Sequence, residues 1–425
     1  MPTIARLSSL EILDSRGRPT VRATCELVGG AKGTASAPSG ASTGSAEALE
    51  LRDGDHARYR GLGCRKAVAK IEGELNSALA DRSFDSQQHL DWAMIELDGT
   101  PNKSRLGANA LLAVSLAFAR ATAVERGVPL YRHLAGMIGS EPRALPRPTI
   151  NLFSGGKHAG GQVSIQDVLV APISARTMDE ALAMTFEVYQ AAAELAHRKY
   201  GARALTADEG GLAPPFPSAE AMLHDAVESI RLARLEPGTD IALAVDVASS
   251  HFYEDGRYRL DGRSLDGAAM VDHLLGWLER YPIISIEDGL AEEDWEHWVR
   301  LRARIQGRAL VLGDDLLCTN PARIRRATEM GAADALLLKV NQIGTLTEAG
   351  EACALAQSAG WSVTVSARSG ETEDDWLADL AVGWSGDQIK VGSITQSERL
   401  AKYNRLLEIE AQTGLPLAAW PGRGR

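Results

Sequence analysis

Residues 240–247 read Asp-Ile-Ala-Leu-Ala-Val-Asp-Val, a short apolar run that ends in a carboxylate at Asp246. The same pattern returns downstream, where Glu287 follows residues 283–286 and Asp314 follows residues 310–313. Segments long enough for amphipathic helices separate these runs, at 266–280, 294–305 and 345–359. Such alternation of strands and helices predicts a parallel sheet. The predicted strands are 240–247, 282–287, 309–313, 335–340, 361–366 and 388–391. So many units favour a closed barrel.

Cations follow the last three of these strands. Lys339 comes after Ala-Leu-Leu-Leu, Arg368 and Ser369 come after Val-Thr-Val-Ser-Ala, and Lys390 lies within the final strand. The carboxyl ends of parallel barrel strands meet at one face, so carboxylates and cations would share one mouth. Any one of them alone would more simply be a solvated loop residue. Oxygen-only ligands suit Mg²⁺ better than zinc, and the joint pattern predicts a Mg²⁺ site. Its ligands would be Asp246, Glu287 and Asp314.

Lys339 stands in an apolar run, where an unpaired ammonium group would be costly. One interpretation is that neighbouring carboxylates neutralise its charge. The favoured interpretation is a general base whose pKa is lowered by burial and by a nearby metal ion.

Composition narrows the function class. A chain of 425 residues predicts two domains, and three prolines between Pro142 and Pro148 mark the expected boundary between residues 1–141 and 142–425. The net charge of −11 argues against nucleic acid as a partner. The first residues lack a signal-peptide pattern and no apolar run approaches membrane-spanning length, so no membrane partner is expected. The scattered cysteines suit reduced thiols in the cytoplasm.

The N-terminal part predicts an α+β unit. Short strands are expected within residues 4–37, and helices at 66–80 and 109–126. Several longer motifs then carry a resemblance to enolases that runs almost from end to end. They are Pro-Ser-Gly-Ala-Ser-Thr-Gly at 38–44, Asp-Glu-Gly-Gly-Leu-Ala-Pro at 208–214, Ser-Ile-Glu-Asp at 285–288, Leu-Lys-Val-Asn-Gln-Ile-Gly-Thr at 338–345 and Arg-Ser-Gly-Glu-Thr-Glu at 368–373.

The resemblance implies an α/β fold, a modified (β/α)₈ TIM-type barrel capped by a smaller N-terminal α+β domain, assembled as a homodimer or higher homo-oligomer. It implies two Mg²⁺ sites. The first would use Asp246, Glu287 and Asp314, and Ser42 would complete the second when substrate binds. The substrate would be a small phosphorylated carboxylate of the 2-phosphoglycerate or phosphoenolpyruvate type.

The resemblance also implies a role for each remaining site residue. Lys339 would remove the proton alpha to the carboxylate, Glu209 would act beside the leaving hydroxyl, and Asp167 would be a further catalytic carboxylate. The predicted substrate-binding residues are Arg368 and Ser369 for the phosphate, Lys390 for the carboxylate, His158 on a closing loop, Gln166 and Ser42.

The chain departs from the enolase pattern at one end of the site. Ala367 stands where enolases carry a histidine, Asp167 replaces a glutamate, and Gly289 replaces a proline. The predicted metal ligands, the predicted base Lys339 and the predicted phosphate clamp, Arg368 and Ser369, all match the enolase pattern. Because the first two changes fall near the departing hydroxyl, we expect retained enolate chemistry with a different, larger second substituent or partner substrate.

These departures favour a specialised paralogue that resembles carboxyphosphonoenolpyruvate synthase, an enzyme of phosphonate and phosphinothricin-type antibiotic biosynthesis. A nucleotide-activated phosphonoformate would then be the candidate co-substrate. Two alternatives stay open. One is an enolase that dehydrates 2-phosphoglycerate to phosphoenolpyruvate, and the other is a non-catalytic binding protein that keeps the fold.

Overall fold

The computed structural model describes residues 1–41, 44–202 and 205–421. The chain starts as an antiparallel three-stranded sheet, β1 Ile4–Leu13, β2 Pro19–Leu27 and β3 Lys32–Ser36. Asp14 closes the first turn, because its Oδ1 atom accepts hydrogen bonds from the backbone N–H groups of Arg16 and Arg18 at 2.8 and 2.9 Å. The strands predicted within residues 4–37 are therefore present.

The helices of the N-terminal part follow this sheet. They are α1 Arg65–Lys70, α2 Asn76–Leu79, α3 Gln87–Asp98, α4 Ala108–Glu125 and α5 Leu130–Ile138. A π-helical turn, Ile71–Leu75, joins α1 to α2, so the helix predicted at 66–80 is interrupted rather than regular. Helix α4 packs directly on β3, where a Cβ on Gly33 would lie 2.2 Å from the carbonyl oxygen of Ala117.

Helix α4 is long and apolar enough to cross a membrane, by length and composition alone. The expectation that no apolar run reaches that length is therefore wrong. However, 83% of the helix is buried within the protein, which is what a core helix requires, so the match is weak evidence for a membrane span.

The barrel part contains the remaining strands and helices. The strands are β4 Arg147–Ser154, β5 Asp167–Pro172, β6 Ile241–Asp246, β7 Tyr253–Glu254, β8 Arg257–Leu260, β9 Arg263–Leu265, β10 Ile283–Glu287, β11 Leu310–Gly313, β12 Ala335–Leu338, β13 Ser362–Ser366 and β14 Gln388–Gly392. The helices are α6 Met178–Tyr200, α7 Ala219–Leu232, α8 Gly267–Arg280, α9 Trp295–Ile305, α10 Pro321–Met330, α11 Val340–Ile343, α12 Leu346–Ser358, α13 Trp376–Gly383 and α14 Ser397–Thr413. Eight strands close the barrel in the order β10-β11-β12-β13-β14-β4-β5-β6.

The prediction of a wholly parallel sheet is wrong at one strand. β5 runs antiparallel to both of its neighbours, β4 and β6. Its first residue, Asp167, therefore pairs with Asp246, the last residue of β6, and both lie at the same end of the barrel. The segment 155–166, which connects β4 to β5 across that end, carries His158 and Gln166. The reversal brings residues of a strand start and a hairpin to the barrel mouth.

The N-terminal part reaches across the mouth. Ser39 and Gly370 form an antiparallel bridge, and a Cβ on Gly370 would lie 2.2 Å from Asp14 Oδ2. Farther out, Arg120 Nη2 lies 2.6 Å from carboxylate oxygens of Asp374 and Asp375. The first two contacts place Asp14 and Ser39 against the loop that follows β13.

Candidate active site

Three strand-end carboxylates lie on adjacent strands of the barrel. Glu287, at the end of β10, is in register with Asp246 on β6, while Asp314 directly follows β11. The buried Lys390 on β14 joins two of them. Its Nζ donates to Asp246 Oδ2 at 2.8 Å and to the two Glu287 oxygens at 2.8 and 2.7 Å. Two of the predicted metal ligands, Asp246 and Glu287, thus form one cluster with the predicted carboxylate-binding lysine, whereas Asp314 pairs with Lys339.

Lys339 is placed just beyond β12, one residue before α11, rather than inside a strand extending to residue 340. Its Nζ donates to Asp314 Oδ2 at 2.5 Å. Burial alone would lower the pKa of Lys339, but the charge of Asp314 raises it above its usual value. Without a metal ion the shift is opposite to the direction predicted from the sequence.

The acidic cluster is larger than the predicted trio. Asp288 accepts hydrogen bonds from the backbone N–H groups of Asp314 and Asp315 at 2.9 and 2.8 Å. The three aspartates offer oxygens within 4.8 Å of one another and could hold a metal ion. Burial and mutual repulsion raise the pKa of Asp288 well above its usual value and that of Asp315 to about 7. Asp288 and Asp315 each directly follow a predicted ligand in the sequence, but neither is among the predicted ligands.

The donor chemistry fits a hard divalent cation. Buried carboxylates provide only oxygen, and two ammonium groups offset part of their charge. Gln166 adds a buried amide. Its Nε2 donates to Asp246 Oδ2 at 3.1 Å, and its Oε1 has no hydrogen-bond partner within residues 1–41, 44–202 and 205–421. The donor chemistry of Asp246, Glu287 and Asp314 suits a cation, but among the described residues only Asp314 of these three belongs to a group whose ligand atoms all lie within 4.8 Å of one another, and its partners there are Asp288 and Asp315.

A buried His158–Asp167–Glu209 group lies next to these carboxylates, because Asp167 at the start of β5 pairs with Asp246 on β6. His158 Nδ1 lies 2.9 Å from Asp167 Oδ2, and its Nε2 lies 3.7 Å from Glu209 Oε1. Ser154 Oγ donates to Asp167 Oδ1 at 2.6 Å, and Asn151 Nδ2 donates to Glu209 Oε2 at 2.9 Å. Burial alone would lower the pKa of His158, but the two carboxylates raise it to about 9. Glu209 keeps a lowered pKa despite burial, mainly because of His158.

The phosphate clamp predicted at Arg368 and Ser369 contacts residues that were not predicted. The Arg368 guanidinium pairs with Glu47 Oε2 at 3.0 Å and donates to Asn341 Oδ1 at 2.9 Å. Ser369 Oγ accepts hydrogen bonds from the Ala41 N–H at 2.7 Å and from Arg16 Nη1 at 3.1 Å. Ser42 lies outside the described residues.

One buried arginine, absent from the predicted site, holds the backbone around much of it. Arg399 on α14 has no solvent exposure. Its Nη1 donates to the carbonyl oxygens of Arg368 and Val391 at 2.7 and 3.0 Å, and its Nη2 donates to those of Ser369 and Asp208 at 2.6 and 3.5 Å. Each of these carbonyls belongs to a predicted site residue or to a direct neighbour of one. Its long-range role could not be inferred from a position within a helix.

Most of the predicted site residues line one small cavity. It is lined by His158, Gln166, Glu209, Asp246, Asp314, Lys339, Arg368, Ser369 and Lys390, together with Ala41, Ser366 and Ala367. Asp167 lies behind His158 and Glu287 lies behind Lys390, so each reaches the cavity through a neighbour. The Ala367 methyl group is part of the wall, where an imidazole would reduce the space.

Comparison with known protein families agrees with this architecture. The family described as "Enolase, N-terminal domain" matches residues 4–134. The family described as "Enolase, C-terminal TIM barrel domain" matches residues 142–423, which includes every barrel strand and the whole acidic cluster. The chain therefore belongs to the enolase family.

Proposed function

We propose that this protein is a Mg²⁺-dependent enzyme that forms an enolate from a small phosphorylated carboxylate. Within that class we propose a specialised paralogue, similar to carboxyphosphonoenolpyruvate synthase, with a nucleotide-activated phosphonoformate as co-substrate. The observation that carries the proposal is Ala367. Ala367 lines the same cavity as His158 and Glu209, and the predicted base and phosphate clamp line that cavity with their residue types retained.

Each site residue has a proposed role that follows from its position. Arg368 and Ser369 would bind the phosphate, Lys390 the carboxylate, and Lys339 Nζ would accept the proton from C2. Asp246, Glu287 and Asp314 would hold Mg²⁺. The ion would stabilise negative charge on the enolate, so that a weaker base at Lys339 would suffice to remove the proton. Release of the Lys339–Asp314 contact would let the amine become neutral, as a base requires.

The other end of the cavity is poorly suited to expel hydroxide. A general acid must carry a proton at the working pH, and the lowered pKa of Glu209 leaves it ionised at neutral pH. The carboxylates raise the pKa of His158, but its Nδ1 already pairs with Asp167 Oδ2 at 2.9 Å. Without an imidazole at position 367, a second substituent could occupy the space while the enolate is retained.

Proton exchange separates the candidate functions. The purified protein would be incubated with Mg²⁺ and 2-phosphoglycerate in D₂O, and NMR would follow loss of the C2 proton while absorbance follows phosphoenolpyruvate. We expect exchange with little phosphoenolpyruvate release. Release at the rate of exchange would support the ordinary enolase instead, and absence of both exchange and Mg²⁺ binding would support a non-catalytic binding protein.

A pair of substitutions tests the role of the divergent end. Ala367→His combined with Asp167→Glu should raise phosphoenolpyruvate formation by about 10²-fold or more, because it restores a positioned acid–base group. Lys339→Ala is the control, since it should abolish C2 exchange while leaving Mg²⁺ binding. An unchanged dehydration rate in the double variant would remove these positions as the determinants of the reaction.

We also propose a cytoplasmic homodimer or higher homo-oligomer. Leu10 and Leu13 on β1 are each about half exposed, at 52% and 53%, which suits an interface between copies. The free, buried cysteines suit a reducing compartment. Light scattering coupled to size-exclusion chromatography tests the assembly, and Leu10→Asp with Leu13→Asp should convert it to monomer.

A further inference from the structure

The turn between β1 and β2, residues 14–17, docks on the loop that carries the predicted phosphate clamp. Ser15 Oγ donates to the carbonyl oxygen of Ser369 at 3.2 Å. Gly370 lies directly under the turn, where a Cβ would be 2.2 Å from Arg16 Nη2. A side chain at position 370 would therefore push the turn away, and glycine permits the close approach. The proposed catalytic function gives this turn no role.

Arg16 is the residue of this turn that reaches a side chain of the clamp. Its Nη1 donates to Ser369 Oγ at 3.1 Å, and its Nη2 donates to the carbonyl oxygen of Ser39 at 3.0 Å. Asp14 fixes the guanidinium, because its Oδ2 accepts from Arg16 Nη2 at 2.9 Å and from Nε at 3.2 Å. The Arg16 side chain is only 5% exposed. A buried arginine thus connects the N-terminal sheet to the clamp hydroxyl.

The hydrogen bonds to Ser369 restrict what its hydroxyl group can do. A serine hydroxyl has two acceptor lone pairs and one proton to donate. Ser369 Oγ accepts one bond from the Ala41 N–H at 2.7 Å and one from Arg16 Nη1 at 3.1 Å, so both lone pairs are used. In the described part of the chain, no acceptor takes the Ser369 proton. Because Ser369 lines the small cavity, its O–H group is left to donate to a ligand there.

The bond from Arg16 also strengthens the Ser369 hydroxyl as a donor. Its donor is a guanidinium, and such charge-assisted bonds are stronger than neutral ones. Hydrogen bonds in a chain polarise one another, so a hydroxyl that accepts from a cation becomes a better donor. An ionised phosphate or phosphonate group presents strong acceptor oxygens, which suit a hydroxyl that can only donate. Arg368 lines the same cavity and would supply the facing positive charge.

We propose that Arg16 is a positioning residue for the phosphate clamp and that it acts through Ser369. By filling one acceptor position of Ser369 Oγ, it holds the hydroxyl as a donor to a phosphate or phosphonate oxygen of the substrate. Arg16 does not itself touch the ligand. This inference rests on the proposed function, because that function places the substrate's phosphate at Arg368 and Ser369.

A double-mutant cycle on phosphoglycolate binding tests this role, with isothermal titration calorimetry of the full-length protein at a fixed Mg²⁺ concentration. Arg16→Gln should weaken binding about tenfold, and Ser369→Ala should weaken it by about the same factor. Arg16→Gln added to Ser369→Ala should weaken it no further, because the hydroxyl through which Arg16 acts is gone. Arg18→Gln is the matched control. It removes the same charge from an exposed side chain at the start of β2 and should leave binding unchanged.

A second variant guards against loss of the fold. Arg16→Gln leaves the buried Asp14 without its ion-pair partner, whereas Arg16→Lys keeps the positive charge. A lysine ammonium lacks the guanidinium fork that reaches Asp14 and Ser369 together, so we expect a similar loss of binding with a smaller loss of stability. Circular dichroism and thermal unfolding check that each variant is folded.

The cycle also separates this role from the alternatives. An equal effect of Arg16→Gln with and without Ser369→Ala overturns the proposal, because Arg16 would then act through the fold or through its charge alone. An equal effect of Arg18→Gln overturns it as well, and so does the absence of phosphoglycolate binding by the unmodified protein. Binding without C2 proton exchange would count against the proposed reaction and not against the role of Arg16, which is judged by binding alone.

Discussion

At the scale of single residues, the active site depends on groups that hold its backbone as well as on groups that face its cavity. Arg399 contacts carbonyl oxygens of strand β14 and of two loops, and it also lowers the pKa of Glu209 by its charge. Its fork of N–H donors can serve several acceptors at once, which an ammonium group cannot. We therefore regard Arg399 as a positioning residue for the clamp and for Glu209.

Arg399→Lys tests this role, because lysine keeps the positive charge but cannot donate to several carbonyl oxygens at once. We expect C2 proton exchange to fall by about 10- to 100-fold and stability by about 1–3 kcal/mol, because carbonyl acceptors are left unpaired. Exchange kinetics and urea unfolding measure the two effects. Arg405→Lys is the matched control, at a partly buried arginine on the same helix that pairs with Asp379 away from the site. Equal losses of exchange in both variants would contradict a special role for Arg399.

His158 gives a pH-dependent prediction for the metal-free protein. Its raised pKa, about 9, means that its ion pair contributes stability that is fully present below the ordinary histidine pKa of 6.5 and is lost as pH rises through about 9. NMR of the imidazole nitrogens should show a cationic ring up to that pH. Asp167→Asn should move the transition toward lower pH. A transition near 6.5 in the unmodified protein would refute the ion pair.

At the scale of elements, close packing imposes glycine at the junction of β3 and α4. Gly33→Ala would press a methyl group against Ala117 and Ala121, whose backbone atoms lie 2.2 and 2.3 Å from the added Cβ. We expect a loss of about 1–3 kcal/mol in the free energy of unfolding, measured in urea. Gly136→Ala is the control, because helical alanine is favoured and its Cβ meets nothing. Equal free energies of unfolding for the two variants would contradict the close contact between Gly33 and α4.

Most elements could be predicted because their apolar periodicity is local. The strand ends after Val245, Ile286 and Gly313 agree with the predicted positions within a residue or two. The direction of β5 could not be predicted, since a buried strand has the same apolar pattern in either orientation. Glu47 and Asn341 were missed for a related reason. Their contacts with Arg368 join residues 321 and 27 positions apart, and sequence spacing alone does not predict such pairing.

At the scale of the whole molecule, the acidic cluster couples stability to metal ions. Without a cation, burial and Asp314 raise the pKa of Asp315 to about 7. A carboxyl with a raised pKa stabilises the fold below its unfolded pKa, and that contribution is lost as pH rises through 7. Divalent cations bind the ionised form and should restore what is lost.

Mg²⁺ should therefore raise the unfolding temperature, and by more at pH 8 than at pH 6. At a concentration 100 times the dissociation constant the gain is about 2.7 kcal/mol. Differential scanning fluorimetry with and without a chelator measures it. Asp246→Asn with Asp314→Asn should remove the response, whereas Asp272→Asn, on the exposed face of α8, should preserve it. A larger Mg²⁺ effect at pH 6 would contradict this linkage.

The reversed strand β5 also bears on how the barrel is assembled during folding. Parallel neighbours must wait for a helical crossover, but β4 and β5 are joined by a 12-residue connection and can pair as a hairpin. Short-range pairing forms fastest, so this hairpin is expected to form before the parallel strand pairs of the barrel. His158 and Asp167 would then meet before the metal ligands are assembled, and the divergent end of the site would be the first part to form.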